Sequence, residues 1–174
     1  MAINFPEGTQ DNPSKLVQVQ FTLKNDRYTV NSGSYNDITG FSCSITPKFA
    51  SSRILVQISM GACGTDQNNF DHGQAMRILR NGSDCDIRGE SASNRQRVAM
   101  QGSGWCYNGD HNAGGVGIIG VDHPNTTSSV TYKLQVRCQS RQFVMNGCPN
   151  NSNTSNVYHV RSCSSIVLTE FQMT

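Results

Sequence analysis

The feature that most constrains the fold is a strict two-residue alternation. From Leu16 to Lys24 the apolar Val17, Val19, Phe21 and Leu23 take turns with Gln18, Gln20, Thr22 and Lys24. That is the pattern of a strand with one buried face, because successive side chains of extended backbone point to opposite sides. Nothing in the stretch reads at the helical period. The alternation returns at Phe41, Cys43 and Ile45, at Ile54, Val56, Ile58 and Met60, and at Val130, Tyr132, Leu134, Val136 and Cys138. In the last run Thr131, Lys133, Gln135 and Arg137 are expected to face water.

Turn chemistry supplies the punctuation. Asn81-Gly82 favours positive φ at both centres of a type I′ turn, which predicts a hairpin between Met76–Arg80 and Cys85–Arg88. Shorter strands are predicted at Tyr28–Asn31, Arg95–Gln101, Val116–Val121, Phe143–Asn146 and Val157–Val160, each bounded by Gly, Asn, Ser or Pro. The closing run Ser165–Met173 is apolar on both phases, which predicts a strand inside the sheet rather than at its edge. Gly64–Gly73 and Pro149–Asn156 read as exposed loops. Twenty Ser, seventeen Asn and sixteen Gly suit many tight connections and leave little for long helices. No repeat of propeller or solenoid length is visible. The expectation is an all-β, antiparallel two-sheet sandwich of about ten short strands, with jelly-roll topology preferred. Residues 16–174 form the single domain. Residues 1–15, with Pro6, Gly8, Asn12 and Pro13, form an arm that either anchors on a neighbour or is a disordered terminus.

Charge excludes several functions. Only 15% of residues are charged and 36% hydrophobic, against about 25% and 45–50% in average soluble proteins. The net charge is +2, and ten Arg and four Lys are scattered, which leaves no footprint for nucleic-acid phosphates. There is no basic, apolar leader and no long apolar run, so synthesis in a cytoplasm without membrane insertion is expected. Seven cysteines without a C-x-x-C indicate neither a zinc ribbon nor a redox pair. Cys43, Cys85 and Cys138 fall on apolar phases, where a thiol acts as a small hydrophobe.

No cofactor is implied. Asp66, Asp71 and His72 share one loop and are weak metal candidates, as are Asp84 and Asp86 around Cys85. Asp110, His111, Asp122 and His123 are others that a trimer axis would bring together around an ion. No EF-hand or H-E-x-x-H spacing is present. With three Glu in all (Glu7, Glu90, Glu170), most Asp in turns and no G-x-S-x-G elbow, no catalytic set stands out, and the chain is expected not to be an enzyme. Ala113–Gly120 lacks the Lys-Ser/Thr of a phosphate loop and reads as a strand in close backbone contact. Trp105, Tyr107 and Asn108, with Asn151 and Asn153, are the candidate receptor or partner contacts; burial is the other reading of the two rings.

The block Asp37-Ile-Thr-Gly-Phe-Ser-Cys-Ser-Ile-Thr-Pro-Lys-Phe-Ala-Ser-Ser-Arg-Ile-Leu-Val56 resembles a segment of tail-fibre-like and structural proteins of marine phages, cyanophages especially. Lys15–Phe21, Pro124–Val136 and Ser164–Phe171 resemble further pieces of that family in the same order. The resemblance implies a trimeric jelly-roll head related in shape to complement and tumour-necrosis-factor heads, without catalytic residues. It implies a place on the exterior of a virion, contacts with other virion proteins, and host attachment through a surface glycan or protein. The shortness of the chain, with no shaft ahead of the head, raises a capsid decoration protein as the alternative. A polysaccharide depolymerase and a free lectin are further alternatives.

Overall fold

The computed structural model of the chain describes residues 15–65, 74–102, 114–139, 142–157 and 159–172. Among them there is no helix, and every alternating run has become a strand. The strands are β1 (Lys15–Lys24), β2 (Tyr28–Asn31), β3 (Asn36–Ile45), β4 (Arg53–Thr65), β5 (Gln74–Arg80), β6 (Ser83–Asp84), β7 (Met100–Gly102), β8 (Gly114–Asp122), β9 (Val130–Cys138), β10 (Gln142–Met145) and β11 (Ser164–Gln172). Of the predicted arm, only Lys15 lies within the described residues.

Pairing follows from folding the chain back on itself. β1 pairs β11, β3 pairs β9, β4 pairs β8 and β5 pairs β6, all antiparallel. This doubled ribbon then rolls, so that β11 also joins β4 and β9 also joins β5. The result is two sheets, one containing β1-β11-β4-β8 and the other β3-β9-β5-β6, which is the strand order of a jelly roll. Two short strands extend the first sheet. Cys63 of β4 meets Gly114 of β8 on one edge and Met145 of β10 on the other. β10 therefore continues along β4 where β11 stops, with β2 beyond it.

The two inner faces share one core. Ile54, Val56, Ile58, Met60, Ile166 and Leu168 of the first sheet pack on Phe41, Ile45, Met76, Tyr132 and Leu134 of the second. The predicted phases of β3, β4 and β9 are those observed, and Cys43, Cys85 and Cys138 are buried. β11 lies between β1 and β4, as its doubly apolar sequence demands. Gly120 of β8 makes the expected close contact: a Cβ there would come 2.4 Å from Ile87 Cγ2.

Of the expected exposed loop Gly64–Gly73, Gly64 and Thr65 are instead buried at the end of β4, where they pair with β10, and 66–73 lie outside the described residues. Three strand expectations need correction as well. The hairpin turn is present, with φ of 50° at Asn81 and 83° at Gly82, but its return strand is Ser83–Asp84, and Cys85 and Ile87 dive into the core instead of pairing. Of Arg95–Gln101, only the end pairs, as part of β7. Val157–Val160 makes no strand among its described residues, and Val157 is 77% exposed. Both edges of the nearby β10 are already taken by β2 and β4.

The remaining correction is the largest. In β1 the apolar phase points out and the polar phase points in, the reverse of the expected arrangement. Val19, Phe21 and Leu23 are exposed, while Lys24 is buried. The cause is the neighbouring edge strand β3, whose carbonyls need donors. Thr22 Oγ1 donates to the Ser42 carbonyl at 2.8 Å and Gln18 Nε2 to the Thr46 carbonyl at 2.7 Å.

Gln18 also donates to Glu170 Oε2 at 2.6 Å. Glu170 is fully buried on the inward phase of β11, and accepts from Ser52 Oγ at 2.6 Å and from the Lys48 N–H at 2.7 Å. Burial pushes this carboxyl up, but the bonds from Ser52, Gln18 and the Lys48 and Phe49 backbone outweigh it and hold it below its ordinary 4.5. A depressed folded-state value means stability that is present above the unfolded value and lost as pH falls through the folded one. Glu170→Gln is expected to cost about 1–3 kcal/mol at neutral pH. The gap to the native chain should close as urea midpoints are followed down through about pH 4.

Candidate functional site

The outward turn of β1 builds an apolar face across four strands. Phe21 pairs with Val167, which pairs with Gln57, which pairs with Ile119. The adjacent row runs Val19, Thr169, Leu55 and Val121, and the next Leu23, Ser165, Ser59 and Gly117. Phe21 is 74% exposed, Ile119 67% and Leu23 58%. No charged residue stands in these three rows, as in the centre of a protein interface. The apolar side chains present on the order of 500 Å² to solvent, near the top of the range for the largest patch on a monomer. The face has relief as well. Ser59, Ser165 and Gly117 are small, and they floor a depression of about 440 Å³ that Gln57, Ile119 and Val167 border. Phe21 and Leu23 stand proud beside it.

A second cluster gathers at the ends of β5, β8 and β9. Asp122 is fully buried. It accepts from Arg80 Nη1 at 2.5 Å, Tyr132 OH at 2.7 Å and the Asp86 N–H at 2.9 Å. Burial, with the bond to Asp122, pushes the Tyr132 phenol far above its ordinary range, so it serves as a fixed donor. His123 Nδ1 donates to Asp86 Oδ2 at 2.8 Å, which holds the Asp86 carboxyl low. On the other side of the ring, the Arg53 guanidinium donates to Nε2. A general base needs that nitrogen facing a hydroxyl or thiol; here it faces a cation. Burial raises the nearby Cys85 thiol to about 11, so it carries no thiolate at neutral pH. Elsewhere Cys148 Sγ comes 3.7 Å from His159 Nδ1, but it is a buried thiol that donates to the Asn150 carbonyl.

The structure thus brings Asp86, Asp122 and His123 together, while Asp84 turns away to pair with Arg88. Arg80, Tyr132 and backbone N–H groups occupy the oxygens that an ion would need. Among the described residues, no three His, Cys, Asp or Glu side chains form a metal-binding group. Asp66, Asp71, His72, Asp110 and His111 lie outside the described residues, as do Trp105, Tyr107 and Asn108. Asn151 and Asn153 are exposed in the loop after Cys148, where Asn151 Oδ1 accepts from Arg161. Sequence reasoning missed the apolar outer face, although Phe21, Val167 and Ile119 were legible as apolar positions of separate strands.

No protein-family model and no curated protein matches the chain.

Proposed function

We propose that the chain is a non-catalytic surface protein of a bacteriophage particle, a trimeric module of tail-fibre or receptor-binding type that contributes to host attachment. The observation that carries this reading is the reversed β1, whose apolar phase has no cover among the described residues. A strand that spends Val19, Phe21 and Leu23 on solvent makes sense when a second copy covers them. The relief fits a head-to-tail contact, with Phe21 of one copy seated in the Ser59–Ser165–Gly117 depression of the next. Such heterologous contacts close into a ring when the rotation permits. Three comes from the resemblance to phage fibre heads. Three copies then present identical outer faces, and weak binding repeated three times gives avidity.

Cryo-electron microscopy of the particle tests the reading. Threefold density for this 19.0 kDa chain at the tail or its fibres is expected. Density spread over the capsid lattice would mean a decoration protein instead, and no density at all would remove the virion assignment.

A further inference from the structure

The two edges of the first sheet are built differently. At one edge, β1 carries Lys15 and Lys24 at its ends and reaches over to β3 through Gln18 and Thr22. At the other, β8 pairs only with β4. Its Asp122 end is closed by Asp86, whose N–H donates to Asp122 and whose carboxylate accepts from the His123 N–H at 3.2 Å. From Gly114 to Val121, no main-chain hydrogen bond beyond the β4 ladder is made among the described residues. Such an edge is ordinarily blunted by a lysine, a proline or a bulge. This stretch, Gly-Gly-Val-Gly-Ile-Ile-Gly-Val, has no charge and no proline. Gly114 and Gly117 take no positive φ, and open space lies where a Cβ would stand. Nothing among the described residues requires glycine there, and a strand glycine without a reason inside its own chain marks the close approach of another backbone.

The occupant follows from where the described chain begins. Lys15 lies at the pole where β8 ends: Leu16 pairs with Phe171, Phe171 with Arg53, and the next residue of β4, Ile54, with Asp122. Fourteen residues precede Lys15, and they open with Ala2-Ile3-Asn4-Phe5, an uncharged alternating run that Pro6 ends. Extended, they reach about 46 Å. An arm folded back on its own copy would enter the edge from the Asp122 end and run parallel to β8, the less stable pairing. In the ring of copies, Phe21 of one stands against Gly117 of the next. The first copy's Lys15, six residues upstream, is then about 20 Å from the second copy's β8, well within the arm's reach. We infer that residues 2–5 of one copy add an antiparallel strand to the Gly114–Val121 edge of the next. Cross-strand neighbours share a face, so Ile3 and Phe5 lie beside Ile119 and Val121, which are 67% and 43% exposed within one copy. The inference rests on the ring of the proposed function and gives it a second, main-chain contact.

The test is photo-crosslinking of the full chain with benzoylphenylalanine in place of Phe5, in an equal mixture of ordinary and nitrogen-15-labelled copies unfolded and refolded together. Links from position 5 to the peptide holding Gly114–Val121 are expected, with light and heavy peptides joined in about half of them. Links to another part of the chain, links only between peptides of equal label, or no link at all would overturn the inference. Hydrogen exchange reads the same contact from the edge. Ile3→Pro combined with Asn4→Pro removes one donor of each phase, so a bond to β8 is lost whichever way the arm faces. The amides of 114–121 should then exchange about tenfold faster, with the far-ultraviolet spectrum unchanged. Unchanged rates would also overturn it. Sedimentation of the native chain separates the two claims: a trimer without these links sinks only the arm, and a monomer sinks the ring and the arm with it.

Discussion

Replacing Asp122 by alanine is expected to lower the free energy of unfolding by about 3–5 kcal/mol, the cost of leaving a buried charge partner unpaired. The residue is fully buried and serves Arg80, Tyr132 and the Asp86 N–H at once. Its removal strands the Tyr132 hydroxyl and the Asp86 N–H and leaves Arg80 only the His123 carbonyl, and Tyr132 has no exposure through which water can take over. In thermal melts the loss should appear as a fall on the order of 10 °C for a domain of this size. Asp122→Asn, which keeps an acceptor oxygen, should lose less. An alanine variant that melts with the native chain would show that the cluster contributes nothing, and the close contacts would then need another explanation.

Replacing Phe21 by glutamate is expected to convert the proposed trimer into a monomer of 19.0 kDa, a threefold drop in native mass. The contrast with Asp122 lies in the melt. Phe21 is 74% exposed within the chain, so the variant monomer should retain the far-ultraviolet spectrum of a β-sandwich. A carboxylate at the centre of a neutral apolar face would face desolvation without a partner in the closed ring. Sedimentation of the native chain and the variant side by side reads the result. A variant that stays trimeric would clear this face of any part in assembly.

The sequence foretold strands better than surroundings. Period two names which residues share a face, and for β3, β4 and β9 the apolar phase was also the inner phase, because only one side of each had a partner to pack on. β1 breaks the rule because its polar phase has work to do inside: Gln18 and Thr22 satisfy the β3 edge, and Gln18 helps hold Glu170. Alternation alone carries no sign. The Asn81-Gly82 hairpin was legible because its backbone demand is local, whereas Val157 and Val160 show that apolar spacing makes no strand without a free ladder edge. Asp86, Asp122 and His123 were visible as chemistry and invisible as a cluster, since residues 36 and 37 positions apart meet only through the roll of the sheets. Three stretches far apart in the sequence converge on one buried carboxylate: Gln18, and Lys48 with Ser52, all donate to Glu170.

The pairing of β1 with β11 also sets how the domain responds to force. Lys15 lies opposite Gln172 and Lys24 opposite Ser164, so both outer ends of the ladder emerge at one pole of the sandwich. Antiparallel hydrogen bonds run perpendicular to the strands, and a pull between Lys15 and Gln172 would open them one after another, like a zipper. A pull between Lys15 and the far pole loads the same ladder lengthwise, and its bonds must then give way together. The same ladder is thus weak to peeling at its Lys15–Gln172 end and strong when loaded from pole to pole.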